Sequence, residues 1–235
     1  MQRIDGQLVV ITGVGRKGQV GETVARMFGE RGAALVLISR DGAPDRAAEL
    51  RTLGMAATGH DCDLADPDAL QRVSQATAEA HPAGVAALIC LAGGFAPFGR
   101  VADSTPGTWQ HLATINATTA YLTTRAFLPQ LRQARGAILY FASAAVMPGA
   151  TVAEMSGYAA AKAGVVTLMR AVASEEAGHG VRANALAPTA INTRANQDSM
   201  GTSSAYVERE TIGEWATFLC SSASGPVTGQ LIQVG

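Results

Sequence analysis

Short apolar runs, unbroken by polar residues and separated by longer helical stretches, constrain this chain more than any other feature. The runs are Leu8–Thr12, Ala34–Ser39, Met55–His60, Val85–Leu91, Ala137–Ala142, Val181–Ala187 and Gln230–Val234. A strand with one wet face alternates apolar and polar residues. These runs stay apolar, which marks strands covered on both faces of a parallel sheet. Between them lie helical patterns over Val20–Arg31, Asp45–Leu53, Pro67–Ala80, Thr108–Gln133, Tyr158–Ala177 and Thr211–Ser221. Asp66-Pro67 reads as an N-cap followed by proline at the first helical position, Ser104-Thr105-Pro106 heralds another helix, and Gly178-His179-Gly180 reads as a stop. Parallel neighbours need a crossover, and a helical crossover is right-handed. The pattern predicts an α/β fold: a doubly wound Rossmann-type parallel sheet of about seven strands with helices on both faces. At 235 residues and 48% apolar content, one domain spanning 1–235 is expected. The long irregular stretch is Pro188 to about Ser204, polar enough to be a lid or a disordered loop. It is read as a short substrate loop near 189–204.

Several function classes drop out on composition. The net charge of −1 offers nothing for nucleic acid or an anionic membrane surface. The three cysteines, Cys62, Cys90 and Cys220, are widely spaced, so buried free thiols are expected rather than a disulfide frame or zinc site. His60, His81, His111 and His179 lack metal-ligand spacing, and no metal is expected. No apolar run approaches the ~18 residues of a membrane span. The segment from Met1 to Gly6 lacks a signal-peptide core, so a cytoplasmic protein is expected.

The first loop carries a binding signal. Leu8–Ile11 runs into Thr12-Gly13-Val14-Gly15-Arg16-Lys17-Gly18-Gln19-Val20-Gly21, so Gly13, Gly15 and Gly18 spell G-x-G-x-x-G between a strand and a helix. Glycines there permit a tight turn and close approach of backbone N–H groups to a dinucleotide pyrophosphate, with the helix N-terminus facing the anion. Past the second strand stand Ser39 and Arg40, where an NAD site usually has a carboxylate for the ribose 2′-hydroxyl. Arg40, with Arg16 or Lys17, is suited to a 2′-phosphate, so NADP(H) is expected over NAD(H).

Tyr158 and Lys162 are four residues apart and share a helix face. An ammonium beside a phenol favours the phenolate, so the spacing predicts a Tyr158 pKa lowered toward neutrality and fit for proton exchange with a carbonyl oxygen.

Taken in order, these segments resemble the short-chain dehydrogenase/reductase family in its single-domain ketoreductase branch, such as the 3-oxoacyl-acyl-carrier-protein reductases. Ile4-Asp5-Gly6-Gln7 is similar to the family's opening, and Tyr158 with Lys162 to its Y-x-x-x-K. The resemblance implies that Asn116, Ser143, Tyr158 and Lys162 are catalytic. It implies that Asp63, with Leu64, fixes the adenine, and that Ala92-Gly93-Gly94 stands for the family's N-A-G. Asn184–Pro188 is similar to its N-x-x-x-P-G turn, Ile191 and Thr193 follow toward the nicotinamide amide, and Thr228-Gly229-Gln230 precedes the last strand. Thr12 and Val20 complete the implied cofactor contacts. In those roles Tyr158 protonates the substrate oxygen, Ser143 holds that oxygen, Lys162 lowers the phenol pKa and bonds the nicotinamide ribose, and Asn116 holds a water.

The chain also departs from the family. The glycine loop is two residues longer. Cys90-Leu91 replaces the asparagine that braces the sheet, so a structural consequence is expected. Ser143 lies 15 residues before Tyr158, with an extension around Met147–Met155, and Thr189 replaces the glycine after Pro188.

The expected activity is NADP-dependent interconversion of a ketone and a secondary alcohol. Phe95, Pro97, Phe98, Met147, Pro148 and Met155 fall in loops expected to line the pocket, which suits an apolar or acyl-type carbonyl substrate. Two alternatives stand: enoyl reduction, whose enzymes space Tyr and Lys further apart, and a non-catalytic NADP-binding sensor or scaffold, which would lose the tyrosine or lysine. The family also implies a homotetramer, or else a homodimer, through the two long helices.

Overall fold

The computed structural model describes residues 4, 6–201 and 205–235. Met1–Arg3 and Asp5 of the opening segment, and Thr202–Ser204 of the polar stretch, lie outside the described residues. Seven strands form one parallel sheet in the order β3-β2-β1-β4-β5-β6-β7. They are β1 Leu8–Thr12, β2 Ala34–Ser39, β3 Ala57–Asp61, β4 Ala87–Cys90, β5 Ala137–Phe141, β6 Arg182–Pro188 and β7 Leu231–Val234. Their helices are α1 Val20–Glu30, α2 Ala43–Thr52, α3 Pro67–Ala80, α4 Pro106–Ala113, α5 Thr119–Ala134, α6 Ser156–Glu175, α7 Arg194–Met200 and α8 Arg209–Leu219.

Side chains alternate across a strand, so β1 feeds two cores. Leu8 and Val10 join Leu70 of α3, Phe127 and Leu131 of α5, and Val165 and Met169 of α6 in one buried layer. Val9 and Ile11 join Val24 and Phe28 of α1, Leu50 of α2, and Ile212 and Leu219 of α8 in the other. This is the doubly wound sandwich that apolar strands demand.

The caps follow the sequence signals. Asp66 accepts hydrogen bonds from the Asp68 and Ala69 N–H groups, and Thr105 accepts one from Thr108. Gly180 takes the left-handed turn, φ 75°, after α6.

Three expectations need correction. The third strand starts at Ala57 rather than Met55, and its Ala-Thr-Gly-His-Asp sequence is largely polar. It is an edge strand with one neighbour, so it does not need two apolar faces. The helix expected over Thr108–Gln133 is not continuous: a π-helical turn, Thr114–Thr118, separates α4 from α5. The polar stretch after Pro188 is neither wholly irregular nor detached. It contains α7, capped by the Thr193 hydroxyl. Its base is pinned by an Ile191–Val207 bridge, by Asn192 donating to both Glu208 carboxylate oxygens at 2.9 and 3.0 Å, and by the Thr189 N–H donating to Val234. No helix among the described residues is long and apolar enough to cross a membrane.

Candidate active site

The chain leaves β1 toward β2 and β3, then returns to place β4 on the other side of β1. At such a switch point the crevice beyond the carboxyl ends of the strands is open for a ligand. Its floor is bare backbone. A Cβ added to Gly13, at φ 79°, would lie 2.9 Å from the Ala92 nitrogen. One on Gly15 would collide with the Asp41 carbonyl and come within 2.5 Å of Ser39 Oγ. One on Gly93 would lie 2.7 Å from Asn116 Oδ1 and 3.2 Å from Lys162 Nζ. The glycines are thus required by close approach of the loop to its neighbours, the tight turn that a dinucleotide-binding loop of this kind needs.

Thr12 is fully buried and does the bracing that the missing asparagine would do. Its hydroxyl accepts from the Leu91 and Ala92 N–H groups, both at 3.2 Å, and donates to the Ile89 carbonyl at 3.3 Å. The lengthened loop is fixed by Glu22, whose carboxylate accepts from the Gly18 N–H at 2.7 Å. Glu22 stands three residues past the N-cap Gln19, the spacing at which a first-turn glutamate reaches back to free amides. The Gln19-to-Glu22 spacing makes that role readable from the sequence.

The basic residues expected at the 2′-phosphate end are only partly available. Lys17 pairs with Glu49 on α2 at 2.7 Å, with its side chain still two-thirds exposed (67%). Arg40 remains exposed at the end of β2, with Asp41 3.9 Å away. Arg16 is exposed on the loop, and Val20 is buried at the start of α1. Asp63 uses one carboxylate oxygen on the Ala65 N–H, while Leu64 is buried beside it. Pro188 ends β6, and Ile191 and the buried Thr193 lead into α7.

The four residues named as catalytic converge beside Gly93. Ser143 follows β5 and its hydroxyl is hydrogen-bonded to the Tyr158 phenol. It also accepts from the Ala145 N–H at 3.2 Å. Tyr158 and Lys162 share one face of α6. Lys162 is buried and donates to the Phe141 carbonyl at 2.8 Å, with its Nζ 5.9 Å from the centre of the Tyr158 ring.

The titration expected of the pair is reversed. Burial pushes the Tyr158 phenol up from its ordinary value, and the Ser143 hydrogen bond only partly offsets this. Burial pulls Lys162 down to about 8. The ammonium reaches back to Phe141 rather than to the phenol, and each group is shifted by its own burial.

Asn116 sits within the π turn and is buried. Its Nδ2 donates to the Gly94 and Leu112 carbonyls at 2.9 and 3.0 Å, and its Oδ1 accepts from the Gly94 N–H at 3.2 Å. One amide hydrogen is thus committed to the Gly94 floor and the other to the Leu112 carbonyl of α4, while Oδ1 keeps a second lone pair able to accept from a water. The extra backbone residue of a π turn is what swings this side chain off the helix line and into the floor.

Around the phenol, Phe95 packs edge-on at 5.4 Å and is half exposed. Phe98 lies on Gly157 and Trp109, and with Val101, Pro106 and Ser156 it lines a cavity of about 360 Å³. Met147, expected in the pocket, instead packs against the first core layer. No group of three His, Cys, Asp or Glu able to hold a metal occurs among the described residues.

The chain has known relatives. The family model described as enoyl-(acyl carrier protein) reductase matches residues 13–235. Galactitol 2-dehydrogenase (L-tagatose-forming) of Cereibacter sphaeroides is 31% identical over 99% of this chain and 94% of its own length. An inactive 2-(S)-hydroxypropyl-CoM dehydrogenase of Xanthobacter autotrophicus is 32% identical over 90% of this chain and 97% of its own. A Beutenbergia cavernae protein, described as an NAD(P)-dependent gluconate 5-dehydrogenase and crystallised with NADP at low occupancy, superposes with a TM-score of 0.87. It is 29% identical, and the match covers 98% of this chain and 96% of that one.

Proposed function

We propose that this chain, which belongs to the short-chain dehydrogenase/reductase family of NAD(P)-dependent oxidoreductases, interconverts a ketone and a secondary alcohol with Tyr158 as the acid–base group. The observation that carries this reading is the Tyr158 phenol hydrogen-bonded to Ser143 at the rim of a backbone-floored crevice, with Lys162 buried beneath. A bound nicotinamide dinucleotide supplies the hydride. Ser143 holds the substrate oxygen within reach of the phenol, which orients the reacting bond and stabilises charge developing on that oxygen. The raised Tyr158 pKa keeps the phenol protonated at neutral pH, the form that donates to a carbonyl oxygen. The reverse reaction needs the phenolate, so its rate rises with pH. Lys162, pulled down to about 8, is able to exchange a proton near neutral pH and so to relay one from beneath the phenol. Asn116 holds Gly94 in the floor that would support the cofactor.

NADP(H) is the preferred cofactor in this reading, because Arg40 stands where a carboxylate would select NAD(H), though Asp41 beside it and the engagement of Lys17 by Glu49 weaken that field. Phe95 and Phe98 suit an apolar carbonyl substrate. Galactitol 2-dehydrogenase and the gluconate 5-dehydrogenase act, by their names, at secondary alcohols, while the hydroxypropyl-CoM relative is named inactive. The family model's own description raises enoyl reduction as a second reading. The four-residue spacing of Tyr158 and Lys162 favours the carbonyl reaction. The assembly we propose is a homotetramer through α5 and α6, or else a homodimer.

A panel of apolar ketones with NADPH or NADH, followed by loss of nicotinamide absorbance, tests the activity. Tyr158→Phe is expected to lose at least about a hundredfold in kcat while binding cofactor within about twofold of the parent chain. A variant retaining more than one part in a hundred sinks the mechanism. Tighter binding of NADH than NADPH sinks the cofactor preference.

A further inference from the structure

We infer that Arg194, at the start of α7, supplies the counter-charge for the diphosphate of the cofactor from across the crevice; this rests on the function proposed above. Three observations carry it. First, the lengthened glycine loop brings Gly18, at φ 71°, against the segment that follows β6: a Cβ on Gly18 would meet the Cβ of Arg194 at 3.9 Å and has no other atom within 4 Å. The loop and the start of α7 therefore adjoin at this point, and Arg194 is exposed. Second, one of the loop amides is taken, because the Gly18 N–H donates to the Glu22 carboxylate at 2.7 Å. A carboxylate in the first turn of α1 adds negative charge at the helix end expected to face the diphosphate. Like charges at such range are unfavourable unless a cation lies close to both. Third, the other cations nearby have other places: Lys17 is paired with Glu49 at 2.7 Å, Arg40 stands exposed at the far end of β2 where the 2′-phosphate is expected, and Arg16 is exposed on the loop itself rather than facing it. Arg194 is the guanidinium whose backbone is held against the loop, and a guanidinium suits phosphate oxygens by shape as well as charge.

Glu22 and Arg194 then act in opposite senses on the same ligand. Glu22→Gln keeps an acceptor for the Gly18 N–H and removes the charge. Arg194→Ala removes the cation from an exposed position without touching the core. Titration calorimetry with NADPH is expected to give a Kd raised about tenfold or more in Arg194→Ala, largely restored in Arg194→Lys, and lowered about threefold in Glu22→Gln. Adenosine 2′-monophosphate, which has no diphosphate, should bind Arg194→Ala as it binds the parent chain. A Kd for NADPH within twofold in Arg194→Ala, or an equal loss for the 2′-monophosphate, overturns the assignment. Failure of the parent chain itself to bind NADPH or NADH would instead overturn the function on which it rests. Melting temperatures of the variants within a few degrees of the parent exclude misfolding as the cause.

Discussion

Lys162 shows how one buried cation serves chemistry at the expense of stability. Its ordinary pKa is 10.5 and burial brings it to about 8 in the fold. Below pH 8 both folded and unfolded chains carry the proton, and the folded state bears the full cost of the buried charge. Between pH 8 and 10.5 the unfolded chain binds more protons, so stability gained from this residue rises with pH across that window. The gain amounts to roughly 3 kcal/mol when complete. Tyr158, Cys90 and Cys220, whose pKa values are all raised, act the other way above pH 9. The difference between the parent chain and Lys162→Met isolates the lysine. We expect that variant to lose activity and to show a flatter rise of melting temperature between pH 7 and 9 than the parent. Parallel curves would mean that the ammonium is not buried. None of this was legible in the four-residue spacing, which gives proximity but not the loss of water that decides the direction.

At the scale of elements, the sequence carried the strands and their order of use, because two-sided burial leaves an apolar run that periodicity alone exposes. It carried β3 less well, since an edge strand needs no such run. It missed the π turn, because one inserted residue at Thr114–Thr118 leaves the apolar spacing of the flanking helices almost unchanged. It missed α7 because a short polar helix buries no stripe. The glycine loop was legible as a motif, yet its packing was not: Gly15 lies on the β2–α2 turn, with Ser39 Oγ 2.5 Å from where its Cβ would stand. Gly15→Ala is therefore expected to destabilise by about 1–3 kcal/mol and to weaken cofactor binding together. Gly107→Ala, in the first turn of α4 with its nearest neighbour at 3.8 Å, is the control and should be nearly neutral. Denaturant unfolding of the two variants decides the matter; equal midpoints would show that the loop does not rest on β2.

For the whole molecule, the two cores occupy opposite faces of one sheet, while the glycine loop and Ser143 follow the carboxyl ends of β1 and β5. The outer faces of α5 and α6 remain uncovered. Ala160, Ala163, Gly164 and Thr167 on α6 are exposed and small, and Tyr121 on α5 is half exposed. Small side chains allow another helix pair to approach closely. If the proposed assembly uses this face, Ala163→Arg should convert a tetramer or dimer to a smaller species by light scattering at micromolar concentration, with its circular dichroism unchanged. A monomeric parent chain would refute the assembly.

The Thr12 hydroxyl has a consequence that reaches beyond its three hydrogen bonds. By holding the Leu91 and Ala92 amides from the β1 side, it frees position 91 from any polar duty. Leu91 packs against the second core layer, so oil rather than an amide side chain underlies the crevice. Water has less to wet there, and every charge laid on that floor is felt at longer range than it would be over a polar one.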